Sequence, residues 1–237
     1  HLGKRPYGYV SFGYELTDSV RFGKETPNFL SVRADNSGQP ASRWYTGAGI
    51  YRHVRLVVTD PVHFVKWGTF ITTPRISEKH AIVRVQGSVA NQAGRAKDAE
   101  VEIRIVSPTG TAAGFAKTML RDIQPGGTAD FLEELNVPNP ALWQPDHAAV
   151  YEIRLVIRSD QTVLDNETIP FGIRDARFLP ETGFRLNGTN LKIKGVCLHH
   201  DGGAVGAAVP IGVWERRLQQ LRRLGVNAIR TAHNPPA

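Results

Sequence analysis

The chain has 237 residues, 41% of them hydrophobic and 22% charged, with a formal net charge of +7 and a pI near 9.8. That length accommodates one large domain or two to three small ones, each able to bury a core. The basic residues are scattered along strands and one helix with no nucleic-acid motif, and no apolar run approaches a membrane span; a soluble chain with neither nucleic acid nor membrane as partner is expected.

The single cysteine, Cys197, excludes an internal disulfide, and its apolar strand context predicts a buried, inert thiol. The chain opens on His1 and Leu2 and stops at Ala237, which reads as a piece cut from a longer protein. Its compartment is left open.

Residues 1–60 show short alternating runs, such as Tyr7, Tyr9 and Ser11, then Phe29 to Arg33, then Val54 to Thr59, separated by Gly, Pro, Asn and Asp. This pattern predicts an all-β segment. Between Asp35 and Arg52 lies a long polar loop carrying Arg43, Trp44, Tyr45 and Tyr51. Aromatic faces beside arginine and asparagine suit a sugar, which offers an apolar ring face and many hydroxyls. The plainer reading is that Trp44 and Tyr51 pin the loop onto the sandwich.

Residues 61–175 carry strand-like runs at Val62–Phe70, Ala81–Ala90, Ala99–Val106, Ala129–Val137, Tyr151–Arg158 and Thr168–Ile173, with turn signals such as Pro125, Gly126 and Gly127. Their regular spacing predicts an immunoglobulin-like β-sandwich. Glu133 and Glu134 are neighbours on a strand and point to opposite faces, so they cannot form a facing acid pair. Trp143, between Pro140 and Pro145, is expected to pack as a plug on the sheet edge. Gly183 to Asn190 reads as a tight hairpin turning at Asn187 and Gly188.

Residues 176–237 end in a strand, loop, helix, strand pattern. Leu191, Ile193 and Val196 mark a strand ending near Leu198, followed by His199, His200 and Asp201. Trp214, Leu218, Leu221 and Leu224 recur at helical spacing up to Gly225, where a helix would stop. Val226 to Ile229 form a second apolar run, followed by Arg230, Thr231, His233 and Asn234. Two strands joined through a helix are expected to be parallel, with their C-terminal ends on one rim, so His199, His200 and Asp201 would face Arg230 and His233. Zinc binding by the three histidines is disfavoured because adjacent side chains on an extended chain point apart. A bland alternative is that the histidines only satisfy backbone groups at strand ends.

Three stretches carry a resemblance. SRWYTGAGIYRHVRL resembles the end of the jelly-roll sugar-binding domain of glycoside hydrolase family 2. FGIRDARF followed by FRLNGTNLKIKGVCLHHD is similar to that family's passage from its immunoglobulin-like domain into its catalytic (β/α)₈ barrel, and RLGVNAIRTAHNPP resembles its second barrel strand. The resemblance implies three parts: residues 1–60 as the C-terminal part of the jelly roll, 61–175 as the immunoglobulin-like sandwich, and 176–237 as the start of a TIM barrel. HHD together with HNPP looks most like the bacterial β-galactosidase branch, with β-glucuronidase and β-mannosidase as alternatives within the family.

The family runs a retaining mechanism on two glutamates about 5 Å apart. Both lie on later barrel strands; in residues 176–237 the carboxylates are Glu181, Asp201 and Glu215. The resemblance therefore implies no catalytic carboxylate pair in this chain, and no hydrolysis by it alone. It assigns His199 and His233 to hydrogen-bonding the sugar and stabilising the transition state, and Arg230 to an active-site arginine suited to keeping a nucleophilic carboxylate ionised. His200, Asp201, Asn234, Arg43 and Trp44 are secondary candidates, and Asn234 stands where better-known members carry an aromatic residue. The expected partner is a β-galactoside or related oligosaccharide, with no cofactor required; a structural or activating metal and a homo-oligomeric full-length protein are left open. The rival class is a non-catalytic carbohydrate-binding or assembly module.

Overall fold

A computed structural model describes residues 1–38 and 49–235. It divides into two compact units, residues 56–192 and a second made of residues 1–55 with 193–237.

The first unit is a β-sandwich. Its strands are β1 (Val62–Phe64), β2 (Phe70–Ile76), β3 (His80–Asn91), β4 (Lys97–Val106), β5 (Ala112–Ile123), β6 (Thr128–Pro138), β7 (Tyr151–Ser159) and β8 (Thr162–Phe171). One sheet is centred on β3, with β1 and β2 sharing one edge and β6 along the other; the second runs β5-β4-β7-β8. All these pairings are antiparallel.

The alternation expected of half-buried strands is visible residue by residue. Ala81, Val83, Val85 and Val89 of β3 point inward and meet Val101, Ile103 and Ile105 of β4 and Ile153, Leu155 and Ile157 of β7, all essentially fully buried. Each large aliphatic side chain buried this way contributes roughly 1.5–3 kcal/mol from apolar area alone. Asn91, also fully buried, is a polar exception that satisfies itself: its Nδ2 donates to the carbonyls of Arg95 and Ile123 at 2.9 and 2.7 Å, and its Oδ1 accepts from the Ala93 N–H at 2.9 Å.

Within the sandwich three departures from expectation stand out, and beyond it the strand expected from Leu191 begins only at Gly195. The run Val62–Phe70 is two strands, because Trp67 takes φ 58° and Gly68 turns the chain back, its N–H bonding the Val65 carbonyl at 2.8 Å. β5 escaped the sequence pattern altogether: Ala112, Ala113, Gly114 and Ala116 have little strand propensity, and an edge strand buries few of its residues. β8 begins at Thr162, before the apolar stretch that announces it, held by its register with β7.

Glu133 and Glu134 fall on opposite faces as expected, and Glu134 pairs with Arg84 at 2.6 Å on the outside of the sheet. Trp143, expected as a plug on the sheet edge, is half-buried: its backbone N–H bonds the Ile173 carbonyl at 2.8 Å and Arg174 lies 4.9 Å over its ring, while Ala141 and Leu142 beside it are the residues that pack on the sandwich core. A small three-stranded sheet follows, β9 (Ala176–Leu179), β10 (Gly183–Leu186) and β11 (Thr189–Asn190). Asn187 and Gly188, at φ 50° and 79°, form its turn, the double left-handed geometry that an Asn-Gly pair favours.

In the second unit, residues before Arg55 make no strand among those described, only a single 3-10 turn at Thr17–Ser19. The runs at Tyr7–Ser11 and Phe29–Arg33 have the alternation of strands, but a strand needs a ladder partner and none pairs with them here; Phe29 stands 90% exposed. The Val54–Thr59 run, across the join of the two units, is likewise unpaired. Residues 193–235 form β12 (Gly195–Leu198), α1 (Ile211–Arg223) and β13 (Ala228–Thr231), with β12 and β13 parallel.

Gly225 ends α1 as its sequence position required. At φ 84° it lets its own N–H reach the Arg222 carbonyl at 2.9 Å and the Val226 N–H reach Leu221 at 3.1 Å, the paired bonds of a Schellman motif. Leu224, expected on the apolar face, instead occupies the C-cap and is 80% exposed.

Candidate functional site

The register of the parallel pair sets the site. Cys197 sits opposite Arg230 and Leu198 opposite Thr231, so both strands end level and hand the chain to His199 on one side and Ala232, His233 and Asn234 on the other. The Ala232 N–H continues the ladder by bonding the Leu198 carbonyl at 2.8 Å, and Ala232 is buried. Just beyond it, His233 adopts φ 64°, a left-handed turn uncommon for a residue with a Cβ. That turn brings its imidazole to 5.2 Å from the His199 ring, centroid to centroid, with the planes at 41°.

Arg230 and Thr231 lie inside β13 rather than after it. Arg230 therefore projects from the strand beside its register partner, its Nη1 3.8 Å from the Cys197 sulfur. Cys197 is exposed, contrary to the expectation of a buried thiol. Alternation explains this: Val196 and Leu198 are the half-buried positions of β12, so Cys197 faces the other way, and a four-residue strand in a two-stranded sheet covers only one face. On that covered side, Leu198, His199, His200, Trp214, Leu218, Ile229, Thr231 and Asn234 line an open hollow of about 290 Å³.

His200 behaves differently from its neighbour. It is 7% exposed, with the Tyr9 ring edge-on at 5.1 Å and the Tyr51 ring at 6.4 Å. Burial, the larger effect, pushes its pKa below the ordinary histidine range against the opposing pull of Asp201, and the positive charge of Arg52 works in the same direction as burial. Burial likewise raises the Tyr9 hydroxyl. Both effects favour uncharged side chains here. Asp201 anchors the loop that follows: Arg217 Nη1, its guanidinium stacked 4.9 Å over Trp214, donates to the Asp201 carbonyl at 2.8 Å.

Tyr51, expected either to face a sugar or to pin its loop onto the sandwich, packs instead beside His200, and sequence reasoning missed the part that Arg52 and Tyr9 play with it. Arg52 donates from Nε to the Tyr51 hydroxyl at 3.0 Å, from Nη1 to the Tyr9 carbonyl and from Nη2 to the Pro235 carbonyl. Its guanidinium lies 5.2 Å from the centre of the Tyr51 ring and 6.0 Å from that of Tyr9. The Tyr7 hydroxyl reaches Asn234 Oδ1 at 3.5 Å. The adjacent Tyr51 and Arg52 were a visible signal, but nothing in a single sequence says which distant loop they fasten. Arg43 and Trp44 lie outside the described residues.

Among the described residues, no group of three or more histidine, cysteine, aspartate or glutamate side chains is gathered as a metal site, and no helix is long and apolar enough to cross a membrane. The site offers two imidazoles at the rim of a parallel strand pair, a guanidinium one residue pair below, and an aromatic cluster beside them. It can donate and accept hydrogen bonds to a polyhydroxylated ligand and stack against its ring.

A β-sandwich followed by a parallel β/α/β unit whose polar residues gather at the C-terminal strand rim is a sandwich domain joined to the start of an α/β domain of the kind that binds ligands at that rim. The chain belongs to glycosyl hydrolase family 2: residues 63–174 match that family's domain model and residues 179–237 match its TIM barrel domain. It is 40% identical over its whole length to Beta-galactosidase BoGH2A of Bacteroides ovatus, of which it covers 27%, and 32% identical to a beta-glucuronidase of Bacteroides fragilis, all of the chain again aligning with 35% of the relative. A crystal structure of a glycosyl hydrolase family 2 member from Bacteroides cellulosilyticus superposes over the entire chain with a TM-score of 0.92 at 37% identity, the match taking in 32% of that protein. The chain thus spans about a quarter to a third of the length of these relatives.

Proposed function

We propose that this chain is part of a retaining exo-glycosidase that removes terminal β-D-galactosyl residues, and that residues 1–60, 61–175 and 176–237 are respectively the end of a jelly roll, the immunoglobulin-like sandwich and the start of the catalytic barrel. The observation that carries this reading is the meeting of His199 and His233 at 5.2 Å on the rim of two parallel strands, where barrel enzymes assemble their sites. In this account the two imidazoles hydrogen-bond sugar hydroxyls, and those bonds tighten as positive charge develops at the anomeric carbon. Arg230, on the barrel-strand face away from α1, supports a nucleophilic carboxylate supplied by a later strand. The two catalytic carboxylates lie outside this chain, which by itself is expected to turn over no glycoside.

Glucuronide hydrolysis is the second reading, favoured by the likeness to a protein named a beta-glucuronidase. The full-length protein assayed on 4-nitrophenyl β-galactoside, β-glucuronide and β-mannoside separates the two. The proposal expects kcat/KM to be highest on the galactoside. Preference for the glucuronide replaces it with the second reading, and inertness on every glycoside leaves the binding-module class in its place.

A further inference from the structure

Arg52 makes three directed hydrogen bonds from one guanidinium, and each goes to a different piece of chain: Tyr51 beside it, Tyr9 in the N-terminal segment, and Pro235 just past His233 and Asn234. Two of the three acceptors are backbone carbonyls, so the arginine fixes chain position as well as side-chain rotamers. The same guanidinium lies over the Tyr9 and Tyr51 rings, and those rings flank His200. His200 is covalently next to His199, while Pro235 is two residues from His233. One residue therefore touches both loops that carry the facing imidazoles, without being aimed at the space between them.

We propose that Arg52 is a positioning residue: it locks the Tyr9–Tyr51–His200 cluster and the segment ending in Pro235 together, and so sets the spacing of His199 and His233. The proposal rests on the glycosidase reading given above. A planar fork with five N–H groups meets three acceptors at once, which a lysine ammonium on a flexible stem cannot reproduce. The strained φ of His233 gives the clamp a reason to exist, since a left-handed residue persists only where its surroundings hold it. Loss of the clamp would leave the strands intact and loosen the two loops.

The test uses the full-length protein with Arg52→Ala, Arg52→Lys and the milder Tyr51→Phe, which deletes only the hydroxyl acceptor of Arg52 Nε. Two readouts are taken. The first is acylation of each histidine by diethyl pyrocarbonate, resolved by tandem mass spectrometry. Buried His200 should react slowly in the wild type, several-fold faster in Arg52→Ala and Arg52→Lys, and intermediately in Tyr51→Phe, while exposed His80 is unchanged. The second is steady-state kinetics, where kcat/KM should fall by about tenfold to a hundredfold in both arginine variants, carried by kcat, as expected when reacting groups are misplaced by an ångström or so.

Wild-type rates at His200 in all three variants, or full activity in Arg52→Lys, would overturn the proposal. If Arg52→Ala does not fold, Arg52→Lys and Tyr51→Phe decide the matter by the same two readouts. Acylation is measured without substrate, so an enzyme that proved inert on glycosides would defeat the functional reading while leaving the clamp itself testable.

Discussion

The imidazoles of His199 and His233 face each other at 5.2 Å because Leu198 and Thr231 are register partners at the ends of parallel strands. The last step of that approach is the left-handed turn at His233, φ 64°. A side chain branched at Cβ tolerates this conformation worst and glycine best. His233→Val should therefore lower the stability of the unit by about 1–2 kcal/mol, while His233→Asn should be close to neutral. Chemical denaturation of the two variants side by side checks this; equal loss in both would mean the backbone there is unstrained. His233→Asn is consequently the cleaner probe of the imidazole's chemical role.

Gly87 in the middle of β3 is required by packing. A Cβ at this position would stand 2.7 Å from the far end of the Phe131 ring, and Phe131 is buried in the sandwich core, so the ring would have to shift within packed surroundings. Gly87→Ala should cost about 1–3 kcal/mol through forced displacement of that ring. The measurement is the thermal midpoint of the sandwich transition, and an unchanged or raised midpoint would contradict the close contact.

Glu102 is an acid held nearly out of solvent on the outer face of the β5-β4-β7-β8 sheet, 2.9 Å from Lys117 Nζ and 3.2 Å from Arg158 Nε. The hydrogen bond from Lys117, first, then those of Arg104 and the charges around them, outweigh burial and hold its pKa below the ordinary value of 4.5. A carboxylate whose folded pKa is depressed stabilises the fold fully above its unfolded pKa and loses that contribution as pH falls through the folded value. The wild type should thus be more stable than Glu102→Gln at neutral pH, with the gap closing as pH drops below 4.5. A gap independent of pH would mean that shape and hydrogen bonding, not charge, set the value of this side chain.

Much of this fold is written in short-range pattern. The alternation of Ala81 to Val89, the Asn187-Gly188 turn and the Gly225 helix stop each act over a few residues, so the sequence displays them directly. The parallel strand pair and the closeness of its histidines followed from handedness rules applied to a β/α/β unit. What stayed hidden depends on partners far along the chain. β5 is a strand because β4 templates it, despite a first half, Ala112 to Ala116, that is mostly alanine and glycine and favours no strand. Cys197 is exposed because the face it occupies is set by which side α1 covers. The contact of Tyr9, Tyr51 and Arg52 with His200 and Pro235 joins two ends of the chain, and no local periodicity encodes it.

The central claim is that His199 and His233 work together on one sugar. A double-mutant cycle with His199→Asn and His233→Asn in the full-length protein, read as kcat/KM on 4-nitrophenyl β-galactoside, tests it most directly. Each single change should lower kcat/KM by roughly two orders of magnitude, and the double variant should fall well short of the product of the two losses, because groups that act as a unit are not additive. Independent, multiplicative losses, or full activity in either single variant, would contradict a shared site.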